Sequence, residues 1–170
     1  MLVFARKDAE VHPAFALVHR VANELATYMS RPEVVDQLTV AHSLGASSHS
    51  IQNILLPKAT EMGFVSERNG LFSPYKSSRI RPDYYLPVLD TGILMEVERG
   101  KILANNMDLL DVWKCHICRE ADYLFLVLPR FRQTGNGRSE AILKRSANRI
   151  SAFFEHGNEV NVQAAFLFPY

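Results

Sequence analysis

The chain has few cysteines and no long apolar run. Its 170 residues include two cysteines, Cys115 and Cys118. Two cysteines so close together cannot build a disulfide scaffold, so they favour a reducing compartment such as the cytoplasm. No apolar run approaches the roughly 18 residues of a membrane span, and residues 1–6 lack the basic and apolar regions of a signal peptide. The sequence therefore predicts a cytoplasmic protein without a membrane segment.

The chain also has almost no net charge, +1 at pH 7. An overall basic excess, which would by itself indicate nucleic-acid binding, is thus absent. Positive charge is concentrated locally instead, because residues 129–150 hold six basic residues and one acid, Glu140. A second basic group, which comprises Lys76, Arg79 and Arg81, lies further towards the N-terminus. Such groups attract phosphates, although ordinary solvated helix faces carry similar runs.

The pattern of apolar residues predicts one α/β domain. At 48% hydrophobic content, the chain can bury one proper core. Helical periodicity and stop signals predict helices at 13–30, 33–42 and 48–62, with Pro57 kinking or splitting the last of these. Further along the chain we expect a hairpin at 64–75 around Arg68-Asn69-Gly70, followed by strands at 80–88 and 93–99. A helix should run from Asn105 or Asn106 to about Glu120, and a buried strand should follow at 123–128. The C-terminal part should contain a polar loop at 132–138, a helix at 139–156 and a strand at 160–168.

Three carboxylates lie on the two strands after the hairpin. Asp83 is on the first strand, and Glu96 and Glu98 are at alternate positions of the second, so these two point to the same face. Acids on one side of an apolar strand repel each other, and a bound divalent cation relieves that repulsion. The alternative is a solvated strand face, with Arg99 or Lys101 as the partner.

This pattern resembles a known family of nucleases. Pro82-Asp83 followed by Glu96-x-Glu98 is similar to the motif of the PD-(D/E)XK restriction-endonuclease-like enzymes. Glu98 stands where most members have lysine, and the segment from Glu96 to Lys101 resembles the Glu-Val-Glu branch of type II restriction enzymes. The predicted order of elements is also similar to the αβββαβ core of this family.

The resemblance implies a single-domain mixed sheet flanked by helices. Residues 47–130 would form the catalytic core, residues 1–46 an added helical layer, and residues 131–170 a final helix and strand. It implies a divalent-metal-dependent DNA endonuclease that uses Mg²⁺ or Mn²⁺. The partner would be double-stranded DNA, cut by a homodimer.

The resemblance also assigns roles to individual residues. Asp83 and Glu96 would bind the metal, and Glu98 would accept a proton from the attacking water or join the outer shell of the metal. Glu61, at the end of the preceding helix, would be a further ligand or a surface residue. Lys101 would supply the missing cation or stay solvated. The local basic group at 129–150, and not the resemblance, supplies the arginines expected at DNA, which are Arg130, Arg132 and Arg138.

Two other interpretations stay open for function. Residues 38–75 resemble a helix-turn-helix with a wing at Gly63-Phe64-Val65 and Asn69-Gly70, which would make the chain a non-catalytic DNA-binding protein. The missing motif lysine fits a catalytically dead nuclease-like scaffold that binds a partner.

The two cysteines suggest a zinc site or simple core packing. Cys115 and Cys118 lie in the segment Cys-His-Ile-Cys. A structural zinc site needs further ligands and usually a turn between its cysteines, and the chain has no second cysteine pair. Packing in the core is therefore the preferred interpretation.

Overall fold

The computed structural model describes residues 1–42, 48–66, 69–75, 80–99, 102–133, 138–155 and 158–170. A six-stranded sheet has the strand order β1-β8-β5-β4-β3-β2, and β6 and β7 form a separate ribbon. The strands are β1 (Leu2–Ala5), β2 (Val65–Ser66), β3 (Tyr84–Val88), β4 (Thr91–Val97), β5 (Tyr123–Leu128), β6 (Phe131–Gln133), β7 (Ser139–Ala141) and β8 (Ala164–Pro169). The helices are α1 (Phe15–Met29), α2 (Pro32–Ala41), α3 (Ser48–Glu61), α4 (Met107–Ile117) and α5 (Ile142–Ser151).

The expected mixed α/β architecture is confirmed. Strands β4, β5 and β8 are parallel neighbours, whereas β1, β2 and β3 pair antiparallel to the strands beside them. All six residues of β5 are buried, as its continuous apolar sequence predicts for a central strand. Because β4, β5 and β8 are parallel, their carboxyl ends lie together along one side of the sheet, which we call the carboxyl edge.

Helices cover both faces of the sheet. Alternate side chains such as Met95 and Phe125 pack with α1, α2 and α3 on one face. The intervening side chains, such as Leu94 and Leu126, pack with α4 and α5 on the other face. This alternation sends Glu96, between Met95 and Val97, towards α4. None of the helices in the described ranges is long and apolar enough to cross a membrane.

The N-terminal segment is more than the helical layer that we expected. Residues Leu2–Ala5 form β1, which pairs with β8 at the edge of the sheet. The strand went unrecognised because it is short and lies at an edge, where two of its four residues are exposed and no alternation marks it.

The predicted hairpin at 64–75 is wrong. Val65–Ser66 pairs with Tyr84–Tyr85 of β3, and residues 71–74 form turns in which Leu71 and Phe72 are buried. The segment therefore extends the main sheet and does not form a separate wing. Glu67 and Arg68 lie outside the described residues.

Helices α3 and α5 also differ from the prediction. Pro57 lies inside α3, which runs without a break from Ser48 to Glu61, so the proline does not split the helix. Helix α5 begins at Ile142 because the preceding residues, Ser139–Ala141, pair with Phe131–Gln133.

Candidate functional site

Asp83 and Glu96 meet at the carboxyl end of β4. Asp83 directly precedes β3, whose first residue, Tyr84, lies opposite Met95. The Oδ2 atom of Asp83 accepts a hydrogen bond from the backbone N–H of Val97 at 2.8 Å. The backbone N–H of Asp83 donates to Oε2 of Glu96 at 3.4 Å. The antiparallel register thus brings together two carboxylates that are separated by twelve residues in the chain.

Helix α4 brings a lysine to these carboxylates. The Nζ atom of Lys114 lies 2.9 Å from Oε1 of Glu96 and 2.9 Å from Oδ1 of Asp111. The side chains of Glu96 and Asp111 are 4% and 0% exposed, and that of Lys114 is 12% exposed. Lys114 is therefore a nearly buried cation between two buried carboxylates.

Sequence reasoning missed both Asp111 and Lys114. Asp108, Asp111 and Lys114 recur every three residues along α4, so they lie on one side of the helix. That spacing, in the helix directly after the acidic strand, was the available signal. Such ionic rows usually face solvent, and only the packing of α4 on the sheet turns this one inward.

Asp111 is incompletely satisfied in the folded chain. Oδ2 of Asp111 is buried without a hydrogen-bond partner among the described residues, and Oδ1 is compensated by the Lys114 ammonium group at 2.9 Å. A buried carboxylate without hydrogen bonds is unfavourable unless it is protonated or has a cation nearby. A further cation or a proton at this site would therefore stabilise the folded chain.

The pKa values of the carboxylates in the cluster are raised mainly by burial. Burial, with a further contribution from Asp111, raises the pKa of Glu96 well above its ordinary value, although Lys114 opposes this. The same causes raise the pKa of Glu98 to about 8. Burial raises the pKa of Asp111 to about 6. Burial alone would lower the pKa of Lys114, but the Glu96 and Asp111 carboxylates raise it above its ordinary value.

An open cleft of about 500 Å³ gives access to the cluster. Asp83, Glu96 and Glu98 line it together with Lys114. Four further polar side chains that line the cleft are Gln52, Arg81, Arg99 and Asn105. The cleft thus combines carboxylates with several cationic or amide groups, which suits an anionic substrate that is bound together with a cation.

Glu61 lies elsewhere. Its Oε1 accepts a hydrogen bond from Nζ of Lys58 at 2.7 Å, and the same ammonium group binds Glu24 of α1 at 2.5 Å. The Glu61 side chain is 69% exposed. Glu61 is therefore a surface residue, the second of the two roles expected for it. The residue of α3 that lines the cleft is Gln52, two and a half turns earlier.

The donor set is compatible with a hard divalent cation. Asp83, Glu96, Glu98 and Asp111 offer only oxygen atoms, which Mg²⁺ prefers. Within the described ranges, no group of three or more His, Cys, Asp and Glu side chains is already arranged around one point as metal ligands. The unsatisfied Oδ2 of Asp111 nevertheless leaves acceptor capacity next to the Lys114 ammonium group that also contacts Glu96.

The predicted DNA-contacting arginines lie in the segment after β5. Arg130 is exposed, and its backbone N–H donates to the carbonyl of Tyr170 at 2.7 Å. The Nε atom of Arg132, on β6, is 3.7 Å from Oε2 of Glu140 on β7. Arg138 is exposed just before β7. Arg130 is thus at the carboxyl edge of the sheet, where β4 also ends. Lys101 lies outside the described residues.

Cys115 and Cys118 belong to the core. Both are free and buried, and they pack in the apolar cluster between α4 and the sheet. Burial raises the pKa of both thiols, which disfavours the thiolate form that zinc requires. The arrangement agrees with the core-packing interpretation.

Comparison of the chain with protein-family models, with curated proteins and with solved structures finds no match.

Proposed function

We propose that this protein is a divalent-metal-dependent DNA endonuclease of the PD-(D/E)XK type, related in design to type II restriction enzymes. The observation that carries the proposal is the meeting of Asp83, Glu96 and Lys114 at one end of β4. The order α3, β2, β3, β4, α4, β5 supports it, since it matches an αβββαβ core. Asp83 directly precedes the middle strand β3 and Glu96 is on β4, which supports the assignment of these two carboxylates as the acids of the motif.

Asp83 and Glu96 would hold Mg²⁺ or Mn²⁺ through their carboxylate oxygens. When bound, the cation supplies Lewis-acid stabilisation of the phosphate charge. The backbone N–H of Val97 fixes the carboxylate of Asp83 at 2.8 Å. This bond leaves the second oxygen of Asp83 for a ligand and orients the group before substrate arrives.

Glu98 is the group that we assign to the attacking water. It is partly buried at the mouth of the cleft, directly after β4. Its pKa of about 8, raised mainly by burial, makes it a base matched to a pH slightly above neutral. Glu98 would orient the water and accept its proton.

Lys114 supplies the positive charge that the family places at the position of Glu98. Its ammonium group is 2.9 Å from Glu96, so it reaches the same site from α4. A fixed cation in a nearly buried site stabilises charge that develops on the phosphate. Asp111, 2.9 Å away, holds this ammonium group in position.

The protein would bind double-stranded DNA as a homodimer, so that two sites cut two strands. Arg81 and Arg99 line the cleft, and Arg130 lies at the carboxyl edge of the sheet. Arg130, Arg132 and Arg138 would contact phosphates outside the cleft.

A plasmid-nicking assay with Mg²⁺, Mn²⁺, Ca²⁺ or EDTA tests the proposal directly. We expect conversion of supercoiled plasmid to nicked or linear forms with Mg²⁺ or Mn²⁺ and none with EDTA. Asp83→Asn is a suitable inactive control, because asparagine keeps an acceptor for the N–H of Val97 and removes one charge. Cleavage that resists EDTA, or no cleavage with any metal, would contradict the enzyme proposal.

A catalytically dead scaffold is the second candidate. It is favoured by the position of Lys114, whose ammonium group already neutralises part of the carboxylate cluster. Direct titration with Mn²⁺ separates the two candidates. A nuclease requires saturable metal binding that Glu96→Gln weakens, whereas a self-neutralised scaffold shows no such binding.

A further inference from the structure

A second cavity opens at the carboxyl edge of the sheet, on the face covered by α1 and α2. Its volume is about 430 Å³, within the range of roughly 300–1,000 Å³ for small-molecule sites. Met29 and Leu38 supply an apolar lining, and Phe168 and Tyr170 add aromatic walls at the end of β8. Arg130 contributes a positive charge.

Tyr170 connects this cavity to the catalytic cleft. Its hydroxyl donates a hydrogen bond to the backbone carbonyl of Glu98 at 2.9 Å. Glu98 lines the cleft, whereas Tyr170 lines the second cavity. The aromatic ring of Tyr170 therefore links the wall of the second cavity to the backbone of a residue that lines the cleft.

The His42 ring is part of the cavity wall and is held in a fixed orientation. Its Nε2–H donates to the carbonyl of Phe131 at 2.8 Å, so Nδ1 of the neutral ring is an acceptor. Nδ1 is buried and has no hydrogen-bond partner among the described residues. The ring also packs edge-on against Tyr170, with centroids 5.5 Å apart. The rings of His42, Phe168 and Tyr170 give the cavity aromatic surfaces on which a flat ligand can pack.

An exposed aromatic residue lies beside the cavity. Phe131 is 59% exposed, and it lies between Arg130 and Arg132 on the β6–β7 ribbon. Many proteins that bind the minor groove insert apolar side chains such as phenylalanine between base steps and partly unstack them. The backbone carbonyl of Phe131 accepts the hydrogen bond from His42, so this hydrogen bond holds Phe131, which we call the wedge, beside the cavity.

We propose that this cavity binds an unpaired nucleobase of the DNA substrate, with Phe131 unstacking the helix and Arg130 binding the adjacent phosphate. The inference rests on the proposed nuclease function and deepens it, because it makes DNA with a displaced or mismatched base the preferred substrate. Unpairing is least unfavourable for a base that is already unpaired, so such DNA binds more tightly than a perfect duplex.

Equilibrium binding in EDTA tests the inference without cleavage. The probes are two fluorescein-labelled duplexes, identical except that one carries a single bulged adenine. Wild-type protein should bind the bulged duplex at least about tenfold more tightly. Equal affinities for the two duplexes would overturn the inference.

Two substitutions on one helix give a matched comparison. Val35 is 45% exposed and lines the cavity, whereas Val40 is 75% exposed on the same helix and does not line it. Val35→Trp should fill the entrance and reduce the preference to about twofold or less, and Val40→Trp should keep it. The inference is wrong if the two tryptophan variants retain the same preference.

Phe131→Ala examines the wedge, with Val11→Ala as the control. Val11 is 84% exposed. It lies near the amino ends of the parallel strands, far from the cavity, because its neighbour His12 contacts Tyr123 at the start of β5. We expect Phe131→Ala to lower the preference for bulged DNA, and Val11→Ala to leave it unchanged. Unchanged preference in Phe131→Ala would remove the wedge from the proposal. Because the measurements use EDTA, a protein that fails to cut DNA can still pass or fail them.

Discussion

The ammonium group of Lys114 lies 2.9 Å from Oε1 of Glu96, although the two residues belong to different layers of the fold. Glu96 is on the sheet and Lys114 is on the helix that covers it. The pair has consequences for stability that do not depend on catalysis, since both groups are almost removed from solvent.

Replacing Lys114 with methionine should destabilise the metal-free protein. The substitution leaves Glu96 and Asp111 buried without their cation, and the loss of one partner of a buried ion pair reduces the free energy of unfolding by about 3–5 kcal/mol. Urea denaturation at pH 7 in EDTA measures this loss. Lys144→Met, on the exposed side of α5, is the control and should change stability little. A Lys114→Met variant as stable as the wild type would show that the pair contributes nothing.

The same variant should also lose activity. If Lys114 stabilises the phosphate charge, Lys114→Met should lower the single-turnover cleavage rate roughly 10²–10³-fold, the range for one lost electrostatic group. The assay is run at a temperature where circular dichroism shows the variant to be folded. A rate within a factor of about two of wild type would leave the lysine with a structural role alone.

Asp83→Ala and Glu96→Ala should abolish cleavage and leave DNA binding intact or stronger. Removing an acid near the phosphates lowers repulsion, so the affinity need not fall. Gel-shift titration in Ca²⁺ and cleavage in Mg²⁺ measure the two properties separately. Near-wild-type turnover by either variant would contradict the assignment of that residue as a metal ligand.

Glu98 should be essential to the rate if it acts on the attacking water. Glu98→Gln is expected to reduce the rate by about 10²–10⁴-fold, as for a lost general base. Glu98→Lys restores the usual motif, and we expect it to retain more activity than Glu98→Gln. Normal rates for both Glu98→Gln and Glu98→Ala would mean that Glu98 takes no part in the reaction.

The stability of the metal-free protein should fall as the pH rises from about 5 to about 8. In this window the unfolded chain has released the Glu98 proton, because the ordinary pKa is 4.5, whereas the folded protein keeps it until about 8. The folded state therefore binds more protons, and raising the pH favours unfolding. Asp111 adds to this dependence between its ordinary pKa of 3.8 and about 6.

Urea denaturation across this pH range, in EDTA, measures the effect. Glu98→Gln should flatten the slope by at most about 1.4 kcal/mol per pH unit, the value for one proton. Glu10→Gln, at an exposed position, should leave the slope unchanged. An unaltered slope in Glu98→Gln would mean that Glu98 ionises in the folded state much as it does in the unfolded chain.

Local sequence signals determined much of the fold. Helices α1 and α2 and strand β5 lie close to their predicted positions, because periodicity and proline act within a few residues. The placement of Asp83 and Glu96 together also followed from the sequence, since a short turn between two strands fixes their antiparallel register. Strand β1 and the partner of β2 were not predictable in the same way, because both pairings are long-range and involve short strands.

The charge balance of the site was decided only by the tertiary structure. Glu61 has the carboxylate that a further metal ligand needs, but its ion pair with Lys58 and its exposure place it at the surface. Asp111 and Lys114 were not recognised in the sequence, because only the packing of α4 against the sheet buries them at Glu96. The sequence thus determined that Asp83, Glu96 and Glu98 lie on or directly beside two neighbouring strands, β3 and β4. Which cation neutralises them depends on the contact between α4 and the sheet, because desolvation and ion pairing act between residues that only the folded chain brings together.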